Sequence, residues 1–388
     1  MLDIPKYFIS LIPKISILDR YIATEFIAPF LFGAGLFSSV GVTIGSAFEL
    51  MRKAVDLGLP ISLVFKVLAL SLPQFISYAF PAAVLLAALL SYGRLSSDSE
   101  LIALRSCGIS TYRLLLPVLL LGCLITTLTF AFNESIVPAA NYQSEHLLDT
   151  ALNRESPAFR EKNILYKQYG KQKQLDGKTK RVLERLFYAE RFDGEQMKGI
   201  TILDRSYGRL TTIVTSESGQ WNPLNNEWDL FNGTSYIISP DGSYRNIVYF
   251  EHQQLQLPRA PLDIANNTRG SDEMNIIQSL KRLELERQSE DLEEIRKIQI
   301  RIHQKLAIPC ACVIFGLVGG TLGSTFRQAS KATGFGLSVL MIFIYYFLLS
   351  FGDALGLVGY ISPLLAGWLP NFVGLGIEGL LLSKANDY

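Results

Sequence analysis

Long apolar stretches are the feature that most restricts how this chain can fold. A helix needs roughly 20 mostly apolar residues to cross the hydrocarbon core of a bilayer. Backbone groups in lipid must find partners within their own segment, so each such stretch is predicted to be a helix. The segments that qualify are 22–48, 61–92, 112–132, 306–322, 334–351 and 363–383. The chain is therefore predicted to be a polytopic α-helical membrane protein with six transmembrane helices.

The apolar stretches form two groups that flank a polar middle region. From about Leu165 to Leu257, short runs alternate apolar and polar residues. Asp-Gly and Asn-Gly pairs at Asp193, Asn232 and Asp241 separate these runs, as is typical of antiparallel strands joined by tight turns. A sandwich, a jelly roll or an open barrel fits such strands, and we predict an inserted antiparallel β (jellyroll-like) domain.

The predicted domain boundaries follow from these changes in pattern. Residues 1–136 are predicted to hold transmembrane helices 1–3, and residues 137–270 the β domain. Residues 271–305 return to helical periodicity with many charges, so we expect a helical stalk there that breaks near Gln288 and Ser289. Residues 306–388 are predicted to hold transmembrane helices 4–6.

The distribution of Lys and Arg over short loops predicts the orientation in the membrane, since cytoplasmic loops carry the excess. The loops on one side hold only Arg52 and Lys53. Those on the other side hold Lys6, Lys14, Arg20, Arg94, Arg105, Arg113, Arg327, Lys331 and Lys384. Both termini are therefore predicted to be cytoplasmic, with the β domain on the opposite side.

Composition argues against several classes of protein. A net charge of +1 without a basic stripe excludes a nucleic-acid-binding surface. The 4 cysteines and 3 histidines show no metal-ligand spacing, and no nucleophile–base pair suggests an enzyme. The segment 170–179 resembles a phosphate-binding loop, but six residues separate its glycines where that loop needs four. We predict neither catalysis nor a bound cofactor.

The segment 94–110, RLSSDSELIALRSCGIS, is the most informative part predicted to face the cytoplasm. A short polar helix is expected over about 96–108, with Ser96, Ser97 or Asp98 as its N-cap and Glu100 in its first turn. In a transporter without its own nucleotide site, such a helix is a natural lever for an ATPase partner.

Two further features admit a structural and a functional reading. Arg52 and Lys53 lie at the predicted outer end of the first span, where they form either an ordinary interfacial pair or a contact for an anionic lipid head group. Glycines four residues apart let helices approach closely. We expect them to serve packing, with a gate as the alternative. These pairs are Gly41 and Gly45, Gly316 and Gly320, and Gly352 and Gly356.

The sequence resembles the LptF/LptG permease family (also called YjgP/YjgQ) of the lipopolysaccharide export machinery. Four segments carry the resemblance: LDRY at 18–21, SDSELIALRSCGIS at 97–110, HQKLAIPCACVIFGLVGGTLG from His303, and SPLLAGWLPN at 362–371. The coupling segment at 97–110 is the most specific of the four. With the arrangement of three spans, a domain and three spans, the resemblance covers nearly the whole chain.

The resemblance implies a function and a set of partners. Two such permeases pair, as a hetero- or homodimer, and bind an LptB-type ATPase dimer that supplies the ATP site. They take lipopolysaccharide from the outer leaflet of the bacterial inner membrane, through gates formed by spans one and five. The β-jellyroll passes it to LptC/LptA-type bridge proteins. By position, the ATPase would contact Ser97, Asp98, Ser99, Glu100, Leu101 and Arg105, and Arg52 and Lys53 would contact the lipid.

Two other functions remain as alternatives. A membrane-anchored scaffold or sensor with a β ectodomain and no transport activity would show the same layout. A secondary transporter is disfavoured because the ionisable residues of the spans lie near the span ends. These residues are Glu25, Glu49, Lys66, Asp353 and Glu378.

Overall fold

The structure is a computed structural model of the 388-residue chain. It describes residues 16–57, 59–152, 161–173, 179–205, 211–223, 225–239, 244–257, 261–262, 273–289, 291–325 and 331–386. The chain divides into two compact units, described separately. The helical unit comprises 1–141, 303–355 and 364–388, and the β unit comprises 142–302 with 356–363.

The helical elements follow one another along the chain with few interruptions. In order they are α1 (Ile17–Val42), a π-helical turn (Thr43–Ala47), α2 (Phe48–Leu57), α3 (Ile61–Ser97), α4 (Glu100–Ser106), α5 (Thr111–Ala131), a second π-helical turn (Phe132–Ile136), α6 (Val137–Leu152), α7 (Ile276–Ser289), α8 (Leu292–Thr325), α9 (Lys331–Val358) and α10 (Pro363–Asn386).

The prediction of six transmembrane helices is confirmed for the described residues. The helices long and apolar enough to cross a membrane are Ile17–Asp56, Ile61–Ser97, Thr111–Leu148, Leu292–Thr325, Ala332–Val358 and Pro363–Ser383. Several exceed the predicted spans, because a hydropathy window ends where side chains become polar whereas the helix continues. The predicted stalk lies in α7 and α8, with a break after Ser289, and α8 runs unbroken through residue 305 into the fourth span.

The spans of the helical unit differ greatly in how much of their surface the chain itself covers. In the most apolar 18-residue window of each span, 78% of the residues are buried in the span that contains α3 and 72% in the span that contains α8. The corresponding share is 11% in the span that contains α1 and in the span that contains α9. α3 and α8 are therefore the central helices. α1 and α9 leave wide apolar faces to lipid or to another protein.

Glycines allow α8 to pack closely on α3. A Cβ on Gly319 would lie 2.8 Å from Cβ of Ala88 and 2.9 Å from the carbonyl oxygen of Leu85. A Cβ on Gly323 would lie 3.0 Å from the backbone nitrogen of Gly93. These distances are too short for a side chain, so the two backbones meet directly, as small residues permit in membrane helices.

The β unit contains an antiparallel sheet whose described strands lie in chain order, β1 to β6. They are β1 (Glu161–Lys173), β2 (Thr179–Phe192), β3 (Met197–Asp204), β4 (Thr212–Asn222), β5 (Glu227–Ile238) and β6 (Tyr244–Leu255). Its core includes the fully buried side chains of Phe187, Phe192 and Trp228. This confirms the predicted fold class. Within the described residues the strands form a single meander sheet.

The predicted turns of the sheet have different outcomes. Asp193 and Gly194 connect β2 and β3, and Gly194 adopts φ +107°. Backbone N–H groups of Glu195 and Gln196 donate to the Asp193 carboxylate and lower its pKa. The predicted turn at Asn232 is wrong, because Asn232 lies inside β5 with φ +49°. Its neighbours Phe231 and Gly233 pair with Ser218 and Ser216 of β4. The turn at Asp241 lies outside the described residues.

Candidate functional site

The candidate coupling segment, residues 97–110, forms a short helix between two spans. α3 ends at Ser97, and α4 begins at Glu100 after Ser99, which adopts a left-handed φ of +62°. α4 ends at Ser106, and Gly108 at φ +85° redirects the chain towards α5. The segment is thus a seven-residue helix between two left-handed residues, and its flanks fix its direction.

The predicted N-cap of this helix is wrong. Ser96 and Ser97 belong to the last turn of α3, where the Ser97 hydroxyl donates to the carbonyl of Arg94 at 3.0 Å. Ser99 precedes α4, and its side chain makes no capping hydrogen bond. The second span continues as a helix through its polar end, so Ser96 and Ser97 are already helical. Glu100 does lie in the first turn of α4.

The faces of α4 separate the buried residues from those available to a partner. Leu101 is 3% exposed and packs with Ile22 of α1 and Leu114 of α5, so it anchors α4 within the chain. It therefore presents little surface to an ATPase, contrary to the role that the resemblance implies. The exposed residues near it include Ser97, Asp98, Ser99, Ile102 and Ser106.

Ile102 was not among the predicted site residues, although it is 38% exposed on the outer face of α4. Helical spacing contains the signal that identifies it. Leu101 and Leu104 lie three residues apart on one face, and both pack into the chain's own core. An apolar residue between them must then face outwards, where it can contact a partner.

A hydrogen bond connects α4 to the beginning of the first span. The Tyr21 hydroxyl lies 2.9 Å and 3.1 Å from the two carboxylate oxygens of Glu100. The residue predicted to contact an ATPase is therefore also bonded to α1. A hydrogen bond to a charged acceptor is stronger than one between neutral groups, so a displacement of Glu100 acts on Tyr21.

An ion pair joins the same end of α1 to α5. Arg113 donates from its two terminal nitrogens to the carboxylate of Asp19, at 2.5 Å and 3.0 Å. It also donates to the Ser16 hydroxyl at 2.8 Å. Ser16 and Asp19 form the capping box that begins α1. One arginine therefore holds both residues of a helix cap, in the two-pronged geometry that makes arginine–carboxylate pairs specific.

A third connection links α1 to α3 through Glu25. The Glu25 carboxylate forms an ion pair with Arg94, and the Ser91 hydroxyl donates to the Glu25 backbone carbonyl at 3.1 Å. Arg94 also lies 3.5 Å from the carboxylate of Asp98. A cavity of about 720 Å³ adjoins these groups and is lined by α1, α3 and Gly334 of α9.

Sequence reasoning named some of these residues without pairing them. Glu25 was predicted only to lie near the end of a span, and it contacts Arg94 in α3. The partners of Glu25, Tyr21 and Asp19 lie 69, 79 and 94 positions away along the chain. Nothing in local spacing indicates such pairs. Arg105, predicted to contact the ATPase, has a buried Nε with no hydrogen-bond partner among the described residues.

Arg52 and Lys53, predicted to contact a lipid head group, lie in α2. Arg52 is 3.7 Å from Asp56 in an exposed pair, and Lys53 is 2.7 Å from Glu49. Each cation thus has a carboxylate one helical turn away, so the local charge balances. The guanidinium of Arg52, 84% exposed, remains accessible to a ligand.

The predicted glycine pairs lie at contacts between helices of the chain. A Cβ on Gly41 or Gly45 would lie 3.0 Å or 2.6 Å from the ring of Phe75 in α3. A Cβ on Gly352 would lie 2.5 Å from the Ala366 carbonyl in α10. Gly356 is buried in α9. These contacts favour packing within one chain at Gly41, Gly45 and Gly352, and they leave a role in a gate as a proposal.

The described residues contain no group of three or more His, Cys, Asp or Glu side chains that could hold a metal ion. The sequence matches the family described as "Lipopolysaccharide export system permease LptF/LptG" over residues 20–384. It is also similar to "Uncharacterized protein RP871" of Rickettsia prowazekii (strain Madrid E), with 23% identity over 258 residues. That similarity covers 66% of this chain and 67% of the relative.

Proposed function

Because this chain belongs to the lipopolysaccharide export system permease family LptF/LptG, we propose that it extracts lipopolysaccharide from the inner membrane with energy from a separate LptB-type ATPase. Family membership and the apolar helices together make it a multi-pass inner-membrane component of lipopolysaccharide export. The finer proposal adds the ATP-driven extraction step, the transfer to LptC/LptA-type bridge proteins and the assignment of residues.

One observation supports the ATPase contact most strongly. α4 presents an exposed face at the end of two spans, and Glu100 on that helix is bonded directly to Tyr21 of the first span. A partner that moves α4 therefore moves the beginning of α1. This is the connection that a permease needs if ATP is hydrolysed in another chain.

The exposure of α1 and α9 supports the proposal of a second permease subunit. Each is 11% buried in its apolar window, although both belong to the helical unit. Phe32 and Phe343, for example, are 60% and 69% exposed. We propose that these faces meet the second LptF/LptG-type subunit and border the path by which lipopolysaccharide enters.

The β unit supports the proposed transfer to a bridge protein. Among the described strands, β6 pairs only with β5, so its other edge is open. Ile247, Val248 and Tyr249 on β6 are 50%, 48% and 80% exposed. An open strand edge can accept a further strand from another protein. We propose that this edge lies on the periplasmic side, and that both termini are cytoplasmic.

The ATPase contact is tested by charge reversal. The full chain, co-expressed with candidate LptB-type ATPases and permease partners, is reconstituted in nanodiscs with lipopolysaccharide, and ATP hydrolysis is measured. Glu100→Arg should abolish co-purification of the ATPase. Glu251→Arg, which reverses an exposed carboxylate on β6, should leave it unchanged. A wild-type chain that binds none of the ATPases would overturn the proposed function and favour the scaffold alternative.

The lipid contact requires a separate experiment. Arg52→Glu combined with Lys53→Glu should reduce photocrosslinking of α2 to lipopolysaccharide, because an anionic head group then meets two added negative charges. Arg52→Lys with Lys53→Arg keeps both charges and serves as the matched control. Equal crosslinking by the reversed and control variants would remove these residues from the lipid path.

A further inference from the structure

We propose that α1 contains a hinge at Pro29. We propose further that residues 17–28, the α1 arm, move with the coupling segment and transmit ATPase engagement to the remainder of the first span. This inference rests on the proposed function, because it requires an ATPase bound at α4.

Pro29 interrupts the hydrogen-bond ladder of α1. Pro29 lies inside α1 and has no N–H, so the carbonyl of Glu25 cannot accept the helical bond that residue 29 would normally donate. The Ser91 hydroxyl of α3 donates to this carbonyl instead. Arg94, also in α3, binds the carboxylate of the same residue. α3 therefore holds Glu25 by its backbone and by its side chain at the point where the ladder of α1 is interrupted.

The α1 arm is attached firmly to the coupling segment and its flanks. Tyr21 bonds to Glu100 of α4, and Asp19 pairs with Arg113 of α5. Ile22 and Phe26, 0% and 1% exposed, pack into the core that contains Leu101. A movement of α4 therefore reaches the arm, which is attached to α3 and α5 as well.

Beyond Pro29, one face of α1 is exposed and the opposite face meets α3 through small residues. Leu31, Phe32 and Ile44 are 64%, 60% and 73% exposed. Gly33, which lacks a side chain, meets the backbone of Ala83 in α3. A Cβ added to Gly33 would lie 3.1 Å from the Cα of Ala83. Phe30 contacts the ring of Phe80 in α3, but Gly33 brings no side chain to its own contact with α3, so a change of tilt at Gly33 displaces no α1 side chain.

The cavity supplies the space that a hinge needs. An open cleft of about 720 Å³ lies beside Pro29. Glu25, Pro29 and Phe32 line it from α1, and Leu89 and Arg94 line it from α3. A bend at Pro29 towards α3 has room in this cleft. We infer that ATPase engagement at α4 rotates the arm and tilts the outer part of the span.

The distance across the hinge is measured directly with spin labels. Ile17 and Val40, 90% and 47% exposed, lie on opposite sides of Pro29 and about 35 Å apart along a straight helix. Labels are attached at both positions in a chain whose native cysteines are replaced, within the full complex in nanodiscs. Addition of a non-hydrolysable ATP analogue should shift the distance in the wild type. It should not shift the distance in Pro29→Ala, where the helical hydrogen bond is restored.

The functional consequence is a loss of coupling without a loss of ATP hydrolysis. Pro29→Ala should keep ATPase binding and hydrolysis near wild type and lower the lipopolysaccharide delivered per ATP by about fivefold or more, the range of ordinary coupling energies. Its melting temperature should not fall, because it gains a hydrogen bond. Pro370→Ala, which changes a proline inside α10, is the matched control and should retain delivery.

The outcomes separate the two proposals. A complex that binds ATPase and delivers lipid, but whose label distance is the same with and without nucleotide, overturns the hinge and leaves the proposed function intact. Unchanged delivery by Pro29→Ala does the same. A chain that recruits no ATPase overturns both.

Discussion

The two ends of the first membrane-spanning helix are built differently. At the end that begins α1, Asp19, Tyr21 and Glu25 contact Arg113, Glu100 and Arg94, which lie on three other helices. At the other end, in α2, the pairs formed by Glu49, Arg52, Lys53 and Asp56 join residues one turn apart on the same helix. Both ends carry charges of both signs, but the first end uses them to connect helices.

This difference has mechanical consequences. Pairs between helices fix the position of α1 relative to α3, α4 and α5, so a force on the coupling segment reaches the span. Pairs within one helix stabilise only that helix, by a few tenths of a kcal/mol each, and leave its direction free. The first end can therefore transmit a movement of α4 to the span. In α2, Arg52 and Lys53 can give up their carboxylate partners for an anionic ligand.

The largest effect is expected where one arginine holds a helix cap. Arg113→Ala removes the two-pronged pair with Asp19 and the bond to Ser16, and leaves a carboxylate that is 16% exposed. We expect a loss of about 2 kcal/mol in the free energy of unfolding, as for charge-assisted hydrogen bonds, measured by thermal unfolding in detergent. Arg113→Lys keeps the charge and should fall between the wild type and the alanine variant. An alanine variant as stable as the wild type would mean that the pair does not fasten α1.

A smaller effect is expected at the bond to the coupling helix. Tyr21→Phe removes the hydroxyl that lies 2.9 Å from Glu100 and keeps the aromatic ring. We expect a loss of about 1 kcal/mol, because both groups can reach water. ATPase co-purification should persist because Glu100 is retained, which distinguishes this variant from Glu100→Arg. If Tyr21→Phe loses the ATPase altogether, the hydroxyl orients Glu100 for the partner as well as transmitting its movement.

The extent to which the sequence predicts the structure follows the range of the interactions. Hydropathy predicts the six spans, since length and composition alone define them, and alternation predicts the strands. Asn232 shows the limit of turn signals: Asn-Gly suits a hairpin, but β5 runs on through Asn232 and pairs with β4 on both sides of it in one register. The end of α3 shows the same limit for caps, because serines that can cap a helix can also finish one.

The candidate site depends on contacts that local patterns do not contain. The sequence shows that Glu100 is charged and Leu101 is apolar, but it does not show which way Leu101 points. Burial against Ile22 and Leu114 turns Leu101 inwards, and this is a property of the assembled bundle. Likewise, the role of Glu25 depends on Arg94 and Ser91, which α3 brings alongside only after the helices have packed. Pro29 is visible in the sequence. That the Ser91 hydroxyl of α3 donates to the Glu25 carbonyl, which Pro29 leaves without its helical hydrogen bond, is visible only in the structure.

The smallest effect is expected in α2. Arg52→Ala removes an exposed pair with Asp56, at 3.7 Å, and should change the free energy of unfolding by less than about 0.5 kcal/mol, as exposed pairs on one helix do. The same thermal unfolding assay measures it, with Asp56→Asn as the matched control for the other half of the pair. If either substitution lowers stability as much as Arg113→Ala does, then α2 is held by more than its own helix, and the contrast between the two ends of the span disappears. If both substitutions change the free energy of unfolding by close to zero, Arg52 does not stabilise α2 and its charge is available to an anionic head group.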